Sequence, residues 1–227
     1  MSLAAAPSLK RKLPLSLLDE LPDYATLTLQ GVSWEEYEAW LAALPEVKKV
    51  RISYAEGRLE IMPVSASHES YAMFFNRLMN IISLRLRLNI RFFGSTTLKS
   101  DRKKKGNEPD ACFYVQRVAL IGNKIALDFG QDPFPDIAVE VDVFHESLSK
   151  FPIYAALDVP ELWHYDTQRV VIYQLQAGEY HPVQQSLAVP LLTSEVLTEY
   201  LNRYRDEGEL ETLLAFEAWV IQQADSK

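Results

Sequence analysis

Apolar residues recur at helical spacing at Trp34, Tyr37, Trp40, Leu41 and Leu44, and Ser33 stands just before them with Glu35 and Glu36 behind it. A short polar side chain that accepts from exposed amides, followed by acids that meet the positive end of the dipole, predicts a helix start. Pro45 is expected to end that helix. From 50 to 62 the period changes to two around Glu56-Gly57, residue types that suit a tight hairpin turn. Helical spacing returns over 67–88, where Tyr71, Phe74, Phe75, Leu78, Ile81, Ile82 and Leu86 form one stripe, with Ser67 as the expected cap.

Two strands are predicted over 91–98 and 110–116, joined by a basic loop, and an apolar stretch over 118–127 leads into Pro133 and Pro135. The next segment alternates without exception: Ile137, Val139, Val141 and Val143 face one way, Asp136, Glu140 and Asp142 the other. That reads as a strand with a core face and a wet face. Residues 150–157 look helical, with Pro152 tolerated in the first turn. A hairpin is expected from 162–166 and 170–175, and a helical tail over 194–224 with Leu197, Leu201, Tyr204, Leu210, Leu213 and Leu214 facing the core. The interleaving predicts an α/β (α+β) fold with helices packed on a sheet. We divide the chain into an arm (1–26), one domain (27–193) and a helical extension of that domain (194–227).

Composition narrows the class. With 48% hydrophobic residues in 227, the chain can bury a sizeable core and is not disordered. A single cysteine, Cys112, excludes an intrachain disulfide, and His68, His145, His164 and His181 lack zinc-ligand spacing. With no apolar run long enough for a membrane span, we expect a soluble, cytoplasmic protein. The net charge of −8 works against general affinity for phosphate backbones. Between 85 and 105, however, eight basic residues stand against one acid, Asp101. Lys99, Arg102, Lys103, Lys104 and Lys105 are therefore candidate nucleic-acid contacts, although a solvated loop explains such a run equally well.

The acids carry the candidate chemistry. Asp136 and Glu140 lie about 13 Å apart along a strand, too far to share one ion. Glu140 and Asp142 are separated by about 6.6 Å, and a neighbouring strand about 4.8 Å away can bring in Asp110. Carboxylates gathered so closely repel one another unless a cation neutralises them, and Mg²⁺ or Mn²⁺ suits oxygen ligands. Lys150, just beyond the strand, can orient an attacking water or stabilise charge on a phosphoryl oxygen.

Four segments together resemble a known family: Gly57 to Pro63 with His68-Glu69; Glu108-Pro109-Asp110; Pro135 to Val141; and Lys150 to Tyr154 followed by Val159-Pro160-Glu161-Leu162-Trp163. The family is Uma2, or DUF820, of the PD-(D/E)xK restriction-endonuclease-like superfamily. The resemblance implies a mixed central sheet flanked by helices, with Asp110 as the PD aspartate, Glu140 as the acid of the (D/E)xK strand and Lys150 as its lysine moved onto the next helix. Glu69 resembles the superfamily's helical carboxylate, though an acid in a first helical turn often serves only the dipole. The chain departs from the pattern at Asp142, where lysine is common, and at Val143-Phe144-His145.

The expected activity is Mg²⁺- or Mn²⁺-dependent hydrolysis of DNA phosphodiesters, with Asp110, Glu140 and Lys150 catalytic, and Asp110, Glu140, Glu69 and Asp142 as metal ligands. Two other readings stay open: a catalytically silent nucleic-acid-binding or interaction module, favoured by the acidic balance and Asp142, and an enzyme acting on another phosphate ester. A homodimer is expected from the proline-containing arm, the helical tail and the many aromatic residues.

Overall fold

A computed structural model describes residues 21–22, 25–43, 50–143 and 150–225, so Pro45, His145 and most of the arm lie outside the described residues. Two sheets organise the chain. The first is antiparallel throughout, in the order β1 (Leu27–Gln30), β3 (Arg58–Pro63), β2 (Val50–Ala55), β6 (Lys105–Asn107), β5 (Leu98–Ser100). The second is the expected mixed sheet, in the order β11 (Glu179–Val183), β10 (Val170–Gln176), β9 (Glu161–Tyr165), β8 (Ile137–Val141), β7 (Ala111–Tyr114), β4 (Arg91–Phe92). Its parallel pair is β8 and β9. Parallel strands need a crossover between them, and the short helix α4 (Phe151–Ala156) lies in it.

Helix α1 (Trp34–Ala43) starts as the sequence predicts: Ser33 Oγ accepts from the Glu36 amide at 3.2 Å, and Glu36 Oε2 accepts from the Ser33 amide at 2.8 Å. It buries Trp34, Tyr37 and Trp40 against Ile52, Tyr54, Leu59 and Ile61 of the first sheet. Glu56 and Gly57 both take positive φ, 53° and 78°, as a two-residue hairpin turn requires.

Several expectations need correction. The long helix α2 (Ala66–Leu86) is capped by Ser65, not Ser67, because the chain is still extended at 65, where the hydroxyl reaches the His68 amide. The strand expected over 91–98 breaks after Phe92, and the chain turns at Gly94 with φ 57°. The basic stretch is not a loop between neighbouring strands but the β5–β6 hairpin of the first sheet. Only Val118–Ile121 of the next apolar run is helical (α3), and β11 went unread in the sequence. The tail is two helices, α5 (Ser194–Glu207) and α6 (Glu209–Asp225), broken at Gly208 with φ 93°. The break resets the helical phase, so Phe216 and Val220 reach the core while Leu210 and Leu214 are 64% and 57% exposed.

The largest correction concerns β8, which has no wet face. Ile137, Val139 and Val141 pack under α2, α5 and α6. The opposite face, marked by Ala138, lies under Leu98 of β5 and Ile153, Tyr154 and Leu157 at α4. Asp136 and Glu140 are therefore each 2% exposed. No described helix is long and apolar enough to cross a membrane.

Candidate active site

The site forms where the chain crosses from one sheet to the other. Asn107 ends β6 in the first sheet, and three residues later Asp110 leads into β7 in the second. The β7–β8 register pairs Ala111 with Val139, which sets Asp110 opposite Glu140 and on the same face. The Asp110 amide donates to the Val139 carbonyl at 2.9 Å, and the Asp110 carboxylate accepts from the Val141 amide at 2.7 Å. Lys150, at the start of α4, donates from Nζ to Glu140 Oε2 at 2.8 Å. Glu140 Oε1 accepts from Asn107 Nδ2 at 3.0 Å and from the Tyr154 hydroxyl. Arg51, on β2, completes the group: its Nη2 is 3.2 Å from Glu69 Oε1 and its Nε 3.6 Å from Asp110 Oδ1. Arg51, His68, Asp110, Asp142 and Lys150 line a cleft of about 20 Å³, room for one water-sized body.

Burial, and then the charge of Glu140, push the Asp110 carboxyl up to about 7, against the pull of Lys150 and Arg51. For Lys150, burial alone would lower the ammonium, but Glu140 and Asp110 outweigh it and hold it above its usual value. Lys150 is thus a charged donor, not a base, at neutral pH. Burial and the Glu140 carboxylate likewise keep the Tyr154 hydroxyl protonated.

The structure brings Asp110, Glu140 and Lys150 together. Of the other two expected ligands, Glu69 is half-exposed and turned to Arg51, while Asp142 lines the same cleft as Asp110 and Lys150 and bonds His164 Nε2 at 2.6 Å. That bond lifts the His164 imidazole against the opposing effect of burial. Among the described residues, no three or more His, Cys, Asp or Glu side chains gather closely enough to hold a metal. A two-carboxylate set still fits Mg²⁺, which commonly binds through one or two carboxylates and keeps several waters. A cation beside Asp110 would offset both the burial and the Glu140 charge that hold its proton.

The basic hairpin is largely neutralised from within. Lys99 pairs with Glu38, Lys103 with Asp158, and Lys105 with Glu56, while Lys104 lies 5.3 Å from the Trp34 ring centroid. Arg102 is exposed and makes no ion pair among the described residues. The sequence reading missed Arg51 and Asn107, named His164 only among histidines without zinc-ligand spacing, and met Tyr154 only as the end of the segment that begins four residues earlier at Lys150. That four-residue spacing was the available signal for Tyr154, whereas Arg51 and His164 come from strands with nothing in their own pattern to mark them.

A family model, Uma2, described as "Putative restriction endonuclease", matches residues 34–202. No curated protein matches the chain. Among solved structures, the crystal structure of a "putative nuclease belonging to DUF820" from Anabaena variabilis ATCC 29413 is 18% identical. The alignment covers 75% of this chain and 99% of that one, with a TM-score of 0.48.

Proposed function

Because the chain belongs to the Uma2 family, whose model spans most of it, we propose that it is a metal-dependent endonuclease that hydrolyses DNA phosphodiester bonds. The observation that carries this reading is the convergence of Asp110 and Glu140 on one face of the mixed sheet, with the Lys150 ammonium 2.8 Å from Glu140. Asp110 and Glu140 would hold Mg²⁺ or Mn²⁺, with Glu69 or Asp142 able to join through the carboxylate oxygen that does not face Arg51 or His164. A divalent ion there supplies charge neutralisation and Lewis acidity at a phosphoryl oxygen. Lys150 orients the attacking water and donates to the phosphate, and Arg51, whose buried Nε has no hydrogen-bond partner among the described residues, offers a planar fork to a second phosphoryl oxygen. Arg102 meets the backbone beyond the site, and Lys99, Lys103, Lys104 and Lys105 contribute to the extent that DNA displaces their present partners.

The same reading includes the arm, domain and extension boundaries given above, a cytoplasmic location supported by the single cysteine, and a homodimer supported by Leu210, Leu214 and Ile221, an exposed stripe on α6. The test of activity is Mg²⁺-dependent cleavage of DNA and RNA substrates by the parent and by Asp110→Asn, Glu140→Gln and Lys150→Ala. Activity that survives equally in all three variants assigns the cleavage to a contaminant. A non-catalytic module is the second reading, favoured by one feature: the acids of the cleft are already matched by Arg51, Lys150, Asn107 and Tyr154. Calorimetry separates the two, because the module binds no Mn²⁺ and the nuclease does.

A further inference from the structure

Glu140 is held by more than its ion pair. An ionised carboxylate only accepts hydrogen bonds, so the Tyr154 hydroxyl must donate to Oε1. Asn107 Nδ2 has two hydrogens: one reaches the same Oε1 at 3.0 Å and the other reaches the Tyr154 oxygen at 2.5 Å. The polarity of the chain is therefore fixed, from amide to phenol to carboxylate. Asn107 is 1% exposed and Tyr154 fully buried, so neither group is open to bulk water. The three side chains come from β6, β8 and α4, two sheets and a crossover helix. Burying such a trio costs desolvation that an apolar set of the same volume avoids, so stability alone does not account for it.

We propose that Asn107 and Tyr154 are positioning residues that grip Oε1 of Glu140 and present Oε2, now bound by Lys150, to a divalent cation; the inference rests on the metal-dependent reading above. Without the grip, the carboxylate is free to rotate about its terminal torsion, and the ion meets a ligand that must first be ordered. Partners of this kind behind a metal ligand typically govern about 10–100-fold in metal affinity.

The test is calorimetric titration of the full chain with Mn²⁺, comparing the parent with Tyr154→Phe and Asn107→Ala, beside thermal melts in chelator. Tyr180→Phe is the control, since Tyr180 donates to the Val159 carbonyl at 2.7 Å and packs around α4 without touching Glu140. The expected result is Mn²⁺ affinity about 10–100-fold weaker in Tyr154→Phe and in Asn107→Ala, and unchanged in the control. Should one of the two variants fail to fold, the other decides. Parent-like affinity in both, or an equal loss in the control, overturns the positioning role and leaves the nuclease reading standing. A parent that binds no Mn²⁺ removes that reading and this inference together.

Discussion

Replacing Lys150 by methionine keeps an unbranched apolar side chain one atom shorter than lysine's but removes the charge from a place that is 5% exposed. Glu140 loses the donor at 2.8 Å, and Asp110 loses one of the two cations that oppose its raised carboxyl. Breaking a buried ion pair from one side costs about 3–5 kcal/mol. In a domain of this size each kcal/mol moves the melting temperature by about 2–4 °C, which predicts a fall of about 6–20 °C in chelator. The fall should be larger at pH 8 than at pH 5, because Asp110, raised to about 7, is protonated in acid and leaves one fewer uncompensated charge when the ammonium is gone. Mn²⁺ at about a hundred times its dissociation constant returns about 2.7 kcal/mol, or roughly 5–10 °C. The parent should gain less at the same concentration, since there the ion competes with Lys150 for Glu140. Thermal melts of both proteins at pH 5 and pH 8, with chelator and with Mn²⁺, measure all of this. A Lys150→Met protein that melts within about 2 °C of the parent at pH 8, less than 1 kcal/mol, or that gains no more from Mn²⁺, refutes the reasoning.

Asp110 holds its proton up to about pH 7 when folded against an ordinary value of 3.8, so the native state binds more protons across that window and metal-free stability falls as pH rises through it; Asp110→Asn should flatten the profile in denaturant titrations, and an unchanged slope would count against the assignment. A Cβ at Gly106 would run into the Tyr37 hydroxyl, a group with no hydrogen-bond partner among the described residues. Gly106→Ala should therefore cost about 1–3 kcal/mol, with Tyr37→Phe near neutral and restoring much of the loss in the double variant, and a double variant no more stable than Gly106→Ala would exclude the clash as the cause. Removing Arg102 should lower the slope of log affinity against log salt for DNA by about one, whereas removing Lys103 should lower it less, because Lys103 is already paired with Asp158; equal slopes for the two would contradict that ranking.

Local pattern reached far into this structure wherever an element's own residues decide its form. Ser33 with Glu36 carries a cap within four residues, and Glu56-Gly57 carries a turn within two. The acid-bearing strand is legible because a period of two needs no partner to be seen. Asp110, Glu140 and Lys150 were legible for a related reason, since the residues between them measure out one strand, its neighbour and the crossover that follows.

Tertiary structure decided which faces are dry. Alternation along 136–143 shows that Asp136, Glu140 and Asp142 differ from their neighbours, but it does not say what lies above them. Only the arrival of β5, β6 and α4 turns that face into a buried one, raises the carboxyl of Asp110 and binds Glu140 to Asn107 and Tyr154. Arg51 enters from a strand 59 residues before Asp110 in the chain, and Asp142 meets His164 through strand pairing. The sequence by itself determined most of the elements and the family, and marked the acids with their lysine as candidates. Charge, burial and partner depend on sums over groups far apart in the chain, and those were decided only by the packing of one sheet against the other.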